Sequence, residues 1–229
     1  SGYSYSTDMT QSGLYPFTSG INYLRGVSPS TMGNDNLKWE TSEQTDIGLD
    51  VYAFNSRLNF SMDYFNKKTK DLLIWNTTPS LEIGGNTSPI NAGNVSNKGF
   101  EFEIGWRDNI GDFNYSIKGN LATLKNKVTY LDPSLTRANG TTFHTNTITY
   151  FEEGYPVYYF RGYRCEGINP EDGEPIFADL DNNGIINEDD KTYIGDAIPD
   201  FTYGLTLTAA WKGLDLTIFG SGSYGNDVF

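Results

Sequence analysis

The sequence predicts an all-β fold, a partial transmembrane antiparallel β-barrel with long extracellular loops. Three observations predict it. Polarity alternates with a period of two over stretches of about ten residues, the length a tilted strand needs to cross hydrocarbon. Connections alternate between tight turns and segments of tens of residues, the asymmetry of a membrane barrel with short turns on one rim and long loops on the other. The composition favours rings that suit an oil-water boundary, with 14 Phe, 16 Tyr and 4 Trp among 229 residues and 25 Gly beside them.

The elements follow in order. Residues 1–38, containing GLYPFTSG and VSPSTMG, read as an extracellular loop region with a possible strand, and residues 39–229 as barrel strands and their loops. In TDIGLDVYAF, Ile47, Leu49, Val51 and Ala53 share one face, and Asp46, Gly48, Asp50 and Tyr52 the other. RLNFSMDYF opposes Leu58, Phe60, Met62 and Tyr64 to Asn59, Ser61 and Asp63. KGFEFEIGWRD opposes Phe100, Phe102, Ile104 and Trp106 to Glu101, Glu103 and Gly105. DFNYSIKGNLATL, PDFTYGLTLTAAW and GLDLTIFGSGS repeat the pattern, the last with Leu214, Leu216 and Ile218 against Asp215 and Thr217. Asn55-Ser56, Asp108 to Gly111 and Lys212-Gly213 read as hairpin turns. The Asn-, Thr-, Gly- and Pro-rich stretch at about 70–97 and the segment at about 126–198 read as long loops, which compact domains rarely carry unless they bind something.

Alternation alone leaves open which medium meets the apolar face. A secreted, calcium-stabilised carbohydrate-binding or adhesin β-sandwich would press that face against a second sheet, whereas a barrel turns it to lipid and its carboxylates to a wet interior. The net charge of −13 opposes a nucleic-acid partner, because phosphates would be repelled. A single cysteine, Cys165, excludes an intrachain disulfide framework and a Cys-based zinc cluster. No apolar run is long enough for a membrane helix. The polar opening SGYSYSTDMT holds no signal peptide and is consistent with a piece of a longer chain.

Within the second long segment, DLDNNGIINEDD matches an EF-hand-like loop over residues 179–190. Asp179, Asp181 and Asn183 stand at places 1, 3 and 5, and Gly184 at the turn. Ile185 offers its carbonyl at 7, Asn187 stands at 9 and Asp190 at 12. Oxygen donors at alternate places of a tight loop suit a hard cation, Ca2+ first, in a structural role. Place 12 is Asp where the template has the longer Glu, and FADL before the loop is no evident helix.

Trp75, Tyr155, Tyr158 and Tyr159 are the candidate ligand-binding rings, suited to stacking on sugar faces or to a collar against a partner. The acids Asp46, Asp50, Glu101, Glu103 and Asp215 are expected to face the lumen, where they hydrate an interior wall or bias passage toward neutral or cationic cargo. No enzyme is expected. Glu101 and Glu103 stand side by side on one strand face and cannot flank a bond across a cleft.

Three ordered strings then carry a resemblance. NDNLKWE leads into a strand, a turn and a returning strand closing on Tyr64, Lys67 or Lys68, Thr69, Asp71, Leu72 and Leu73; NAGNVSNKGFEFEIGW covers Asn91 to Trp106; and the acidic loop runs into YIGDAIPDFTYGL, Tyr193 to Leu205. Together they resemble the C-terminal part of the barrel in the SusC/RagA family of TonB-dependent outer-membrane transporters of Bacteroidetes. Gly154, Pro156 and Gly162 resemble the family segment that returns the chain to the barrel. The resemblance implies a 22-stranded barrel in outer-membrane lipid, of which this chain supplies wall and loops. It also implies active import of a glycan or peptide nutrient, a SusD-like surface lipoprotein over the mouth, and the TonB complex engaged through regions absent from this chain. These strands are too few to close such a barrel, so remaining barrel segments are implied, since open sheet edges do not occur in hydrocarbon; a self-closed barrel of about eight strands is the rival.

Overall fold

A computed structural model describes residues 8–16, 23–31, 33–75 and 89–228, and every side chain from 33 onward within them except that of Trp75. The described residues form seventeen strands: β1 Asp8–Pro16, β2 Tyr23–Thr31, β3 Thr41–Ala53, β4 Leu58–Trp75, β5 Pro89–Ile110, β6 Phe113–Thr123, β7 Lys125–Leu131, β8 Ala138–Asn139, β9 Thr142–Phe143, β10 Asn146–Thr147, β11 Thr149–Phe151, β12 Tyr159–Tyr163, β13 Cys165–Ile168, β14 Pro175–Phe177, β15 Lys191–Gly195, β16 Phe201–Trp211 and β17 Leu214–Tyr224. One seven-stranded antiparallel sheet, in the order β17-β16-β6-β5-β4-β3 with β7 added to β5, makes the wall.

Cross-strand register sorts the side chains. Val51 stands opposite Phe60, Phe60 opposite Ile104, Ile104 opposite Gly119, Gly119 opposite Leu205, and Leu205 opposite Gly220. The neighbouring rungs carry Ile47, Leu49, Tyr64, Phe100, Ile117, Leu121, Leu216 and Ile218 on the same face. Residues in the middle of this face are open, with Ile47 at 66 %, Ile104 at 53 % and Ile218 at 54 % exposure. A soluble sandwich would have to cover such a face with a second sheet. Among the described residues none packs there, and the buried apolar cluster of Val95, Val128, Leu131 and Phe151 lies elsewhere. An uncovered apolar face spanning six strands far exceeds what a soluble monomer leaves exposed, and it suits lipid.

Turn chemistry closes one rim. Phe54, Asn55 and Ser56 all adopt positive φ, and Lys212 and Gly213 do so in the last hairpin, the backbone twist that two-stranded turns require. The middle turn falls at Gly111-Asp112, with β5 running on to Ile110, slightly later than the expected 108–111.

The other rim departs from the sequence expectation. β4 runs to Trp75 and β5 starts at Pro89, so strand occupies most of the stretch 70–97 read as loop, leaving 76–88, which lies outside the described residues. Beyond the membrane both faces of a strand meet water or other loops, so the period of two fades although pairing continues. Likewise 126–131 belongs to β7, and residues 8–31 hold two paired strands where one was expected. At the junction, β5 leaves β6 for β7 at Gly99, where an added Cβ would lie 2.9 Å from the carbonyl carbon of Thr123; only glycine fits that pivot.

The first two of the strings that carry the family resemblance meet in one knot. The Asn91 side chain accepts from the Lys38 backbone N–H at 2.7 Å and donates to the Lys38 carbonyl at 2.9 Å and the Asp71 carbonyl at 2.7 Å. Asn94 Oδ1 accepts from the Asp71 N–H at 3.0 Å, where Asp71 sits at φ +58° in a bulge of β4. Two of these four hydrogen bonds serve the Asp71 groups that the bulge takes out of the ladder, and two tie the Lys38 backbone ahead of β3 to β5.

Candidate functional site

Beyond the long-loop rim, the segment after β7 folds back on the polar side of the wall as a four-stranded sheet in the order β15-β12-β11-β8. Val95 and Val128 of the extended hairpin, with Leu72 and Ile74, meet Phe151, Ala138 and Val157 from this segment in a small core. The loop sheet is therefore fastened to the wall by apolar burial and by backbone bonds such as Val128 N–H to the Tyr155 carbonyl at 2.8 Å.

This core carries an aromatic cluster. The Tyr155 ring stacks on Tyr159 at 4.6 Å between centroids, and Tyr193 of β15 completes the group, 6.0 Å from Tyr155 and 5.7 Å from Tyr159. Tyr159 is only 2 % exposed, and its hydroxyl donates to Glu152 Oε2 at 2.5 Å. Burial, and next the Glu152 carboxylate, push the Tyr159 phenol well above its ordinary range. The Tyr193 hydroxyl likewise donates to Asp196 at 2.5 Å, and burial followed by Asp196 raises its pKa. Tyr155 and Tyr158 remain open, and Tyr158, at φ +57°, borders a groove of about 520 Å³ with Phe151, Val157, Leu72 and Ile74.

Tyr159, expected to meet ligand, is buried with its ring beside Tyr155 and Tyr193, whereas Tyr155 and Tyr158 present open rings. Tyr193, which sequence reasoning left among motif residues, is brought beside them by the pairing of β12 with β15, in which Arg161 stands opposite Tyr193. Trp75 closes β4 opposite Pro89, and its side chain lies outside the described residues.

The acidic loop follows the template closely. Carboxylate oxygens of Asp179, Asp181 and Asp190 come within 4.8 Å of one another, an arrangement that can hold a divalent cation. The loop is preformed by its own backbone. Asp179 accepts from Gly184 N–H at 2.7 Å, Asp181 from Asn183 N–H at 3.0 Å, and Asn183 Oδ1 from Ile185 N–H at 2.7 Å. Gly184 supplies the positive φ of the sharp turn. Asn187 caps a short 3-10 helix, Glu188–Asp190, accepting from the Asp189 N–H at 2.8 Å. Asp190 is buried, with Oδ1 accepting from Leu180 N–H at 2.7 Å and Oδ2 from Asn187 N–H at 2.8 Å. These N–H groups, Asn187 foremost, hold its carboxyl below the ordinary range against the opposing effect of burial.

Two links tie this loop to the aromatic cluster. β15 starts at Lys191, directly after Asp190, and carries Tyr193. Arg161 of β12 donates to the Glu188 carbonyl at 2.9 Å while its guanidinium lies 5.8 Å from the Tyr150 ring centroid. Glu188 also pairs with Lys191, the main reason its carboxyl titrates low.

On the wall itself, Asp46, Asp50, Glu101, Glu103 and Asp215 share the face opposite the apolar one. Asp63, absent from the sequence-derived set, stands directly opposite Glu101 and accepts from Ser61 Oγ at 3.3 Å. The alternation that picked out the others placed it there too.

A twisted antiparallel wall, lipid-facing on one side and polar on the other, with long ordered loops on one rim, defines a segment of a transmembrane β-barrel. The comparisons make this specific. A family model described as "TonB dependent receptor-like, beta-barrel" matches residues 2–228. TonB-dependent receptor P3 of Formosa agariphila is 36 % identical over 230 residues, covering 91 % of this chain and 23 % of its own length. TonB-dependent receptor SusC of Bacteroides thetaiotaomicron is 28 % identical, covering 94 % and 22 %. Among solved structures, the RagAB peptide transporter superposes with a TM-score of 0.76 at 27 % identity over 98 % of this chain and 24 % of that one, and the RagAB peptide importer in its open-open state with 0.77. This chain belongs to the TonB-dependent receptor β-barrel family of the outer membrane, of SusC/RagA type. It spans about a quarter of the length of the relatives it matches.

Proposed function

We propose that this chain is wall and extracellular loop of a 22-stranded outer-membrane importer that takes up a glycan, oligosaccharide or peptide nutrient with energy delivered through TonB, and that breaks no bond in its cargo. The observation that carries this reading is the uncovered apolar face opposite a continuous polar one. β3 and β17 are the open edges to which the remaining barrel segments add, since an unpaired edge cannot stand in lipid. The acids on the polar face line the lumen. The open rings of Tyr155 and Tyr158, with Tyr193 beside them, and Trp75 contact cargo or the SusD-like lipoprotein that closes the mouth. The acidic loop takes Ca2+ through Asp179, Asp181, Asn183, the Ile185 carbonyl, Asn187 and Asp190, in a structural role.

The test is energised uptake of labelled oligosaccharide and peptide pools by cells carrying the full-length transporter with Tyr155→Ala and Tyr158→Ala. Loss of stacking predicts cargo affinity lowered by about tenfold with surface abundance unchanged. Uptake that is indifferent to the double variant, or that persists without TonB, would remove this reading.

A further inference from the structure

We propose that the lipid-side surface of the wall just beyond its aromatic rim is a docking site for the phosphate of a lipid headgroup in the leaflet on the long-loop side. The period of two that carries Phe102 and Phe100 on the apolar face continues outward to Lys98 and Ser96. In the rung after Tyr64 and Phe100, Asn66, Lys98 and Lys125 stand side by side on β4, β5 and β7. The next rung of the same face holds Lys68, Ser96 and Lys127, with Glu43 of β3 directly opposite Lys68. Lys98 and Lys125 are thus directly opposed like charges, a pairing that destabilises a sheet unless an anion sits between them. Lys70, farther out, is matched by Glu43 at 2.7 Å. Among the described residues, no ion pair within 4 Å engages Lys68, Lys98, Lys125 or Lys127, although Glu43 stands opposite Lys68, Asp196 and Asp200 border the same cleft as Lys98 and Lys125, and the chain as a whole carries a net charge of −13.

Depth selects the ligand. Tyr64 and Phe100, 5.0 Å apart between centroids, end the apolar face with rings, which settle at the headgroup boundary. The lysine rungs begin about 7 Å farther along the strands, at the level where lipid phosphates lie, and turned away from the lumen through which cargo passes. Adjacent strands and successive rungs set the four Cβ atoms within a patch about 10 Å across, which flexible four-carbon stems can close around one phosphate. Lysine, a mobile point charge with three donors, suits that group. Each basic residue near an anionic membrane surface is worth roughly a fivefold gain in affinity.

The proposal rests on the membrane reading above, and the experiment separates the two. The full-length transporter is placed in nanodiscs of phosphatidylcholine with a minor fraction of phosphatidic acid, and the lipids it retains on release are counted by native mass spectrometry. Phosphatidic acid is expected to be retained preferentially. Lys68→Gln/Lys98→Gln/Lys125→Gln/Lys127→Gln lowers that preference about tenfold or more, and Lys118→Gln/Lys212→Gln, on the polar face and the opposite rim, leaves it intact. The double variants Lys98→Gln/Lys125→Gln and Lys68→Gln/Lys127→Gln, each giving a partial loss, serve where the quadruple variant does not fold. Equal retention by wild type and variants overturns the proposal, as does displacement of the lipid by inorganic phosphate, which would make this a free-anion site. Failure of the wild type to enter nanodiscs would instead overturn the membrane reading itself.

Discussion

Replacing Ile104 by lysine separates exposure from medium. Ile104 lies midway along β5 between Phe100, at the aromatic end of the apolar face, and Asp108, four residues away on the other side. The eight residues from Phe100 to Asp108 span about 26 Å along the strand and about 20 Å along the membrane normal at barrel tilt, so Ile104 stands close to the midplane. A lysine on the lipid face at that depth costs about 2–4 kcal/mol, a shift of roughly 30- to 700-fold in the folding equilibrium. On a soluble surface, a half-exposed isoleucine would tolerate the same change within about 0.5 kcal/mol. Ile104→Ala supplies the baseline for lost contact with Phe60, its cross-strand neighbour, and Glu103→Lys, one residue along and facing the polar side, is expected to stay within about 0.5 kcal/mol of wild type. Urea unfolding of the full-length transporter in vesicles, followed by tryptophan fluorescence, measures all three. An Ile104→Lys penalty no larger than that of Ile104→Ala, or a Glu103→Lys penalty as large as that of Ile104→Lys, would refute the assignment of faces.

Asp190→Asn turns one of two accepting oxygens into an N–H donor set against the Leu180 or Asn187 N–H; hydrogen exchange across 179–195 should rise in this variant, and chelation of divalent cations should raise it in wild type but add little in the variant. Because the Asp190 carboxyl is held below its ordinary value, the stability it lends is fully present above about pH 4 and is lost as pH falls through its lower folded value; exchange in the loop should stay slow at pH 5 and quicken only in stronger acid. The opposite sign holds for Tyr159, whose raised pKa lends stability that is complete below about pH 10 and is lost as pH climbs toward the folded value; tyrosinate absorbance should show a late-titrating component that Glu152→Gln brings earlier. Cys165 is exposed on the loop side of the molecule, so a membrane-impermeant maleimide should label intact cells and fail to do so after Cys165→Ser, whereas labelling only after lysis would reverse the proposed orientation.

Strands were legible where one face meets a uniform medium. From Thr41 to Ala53 and from Phe201 to Tyr224, every second residue answers to the same solvent, so periodicity alone marks strand, face and turn. The signal failed from Asp71 to Asn97, where Asn91 and Asn94 look like loop residues but are clamps on a bulge in a continuing ladder. The metal loop could be read because its ligands are close in sequence and its turn needs Gly184. The aromatic cluster could be read only as composition. Which ring is open and which is buried depends on β12 pairing with β15 some thirty residues on, and no local pattern near Tyr155, Tyr158 and Tyr159 encodes that partner. Asp63 was visible in the alternation, but its directly opposed carboxylate on Glu101 emerges only from the register between β4 and β5.

The absence of any slack between Asp190 and β15 has a thermodynamic corollary. Ordering the acidic loop fixes the strand that presents Tyr193, and the Arg161 strut to Glu188 fixes its neighbour. Two sites that stabilise the same scaffold must favour each other equally in both directions. If the acidic loop takes a cation and the open rings take cargo, as proposed above, each must sharpen the grip on the other by the same factor, so scarcity of the ion would be felt as a loss of appetite for the cargo.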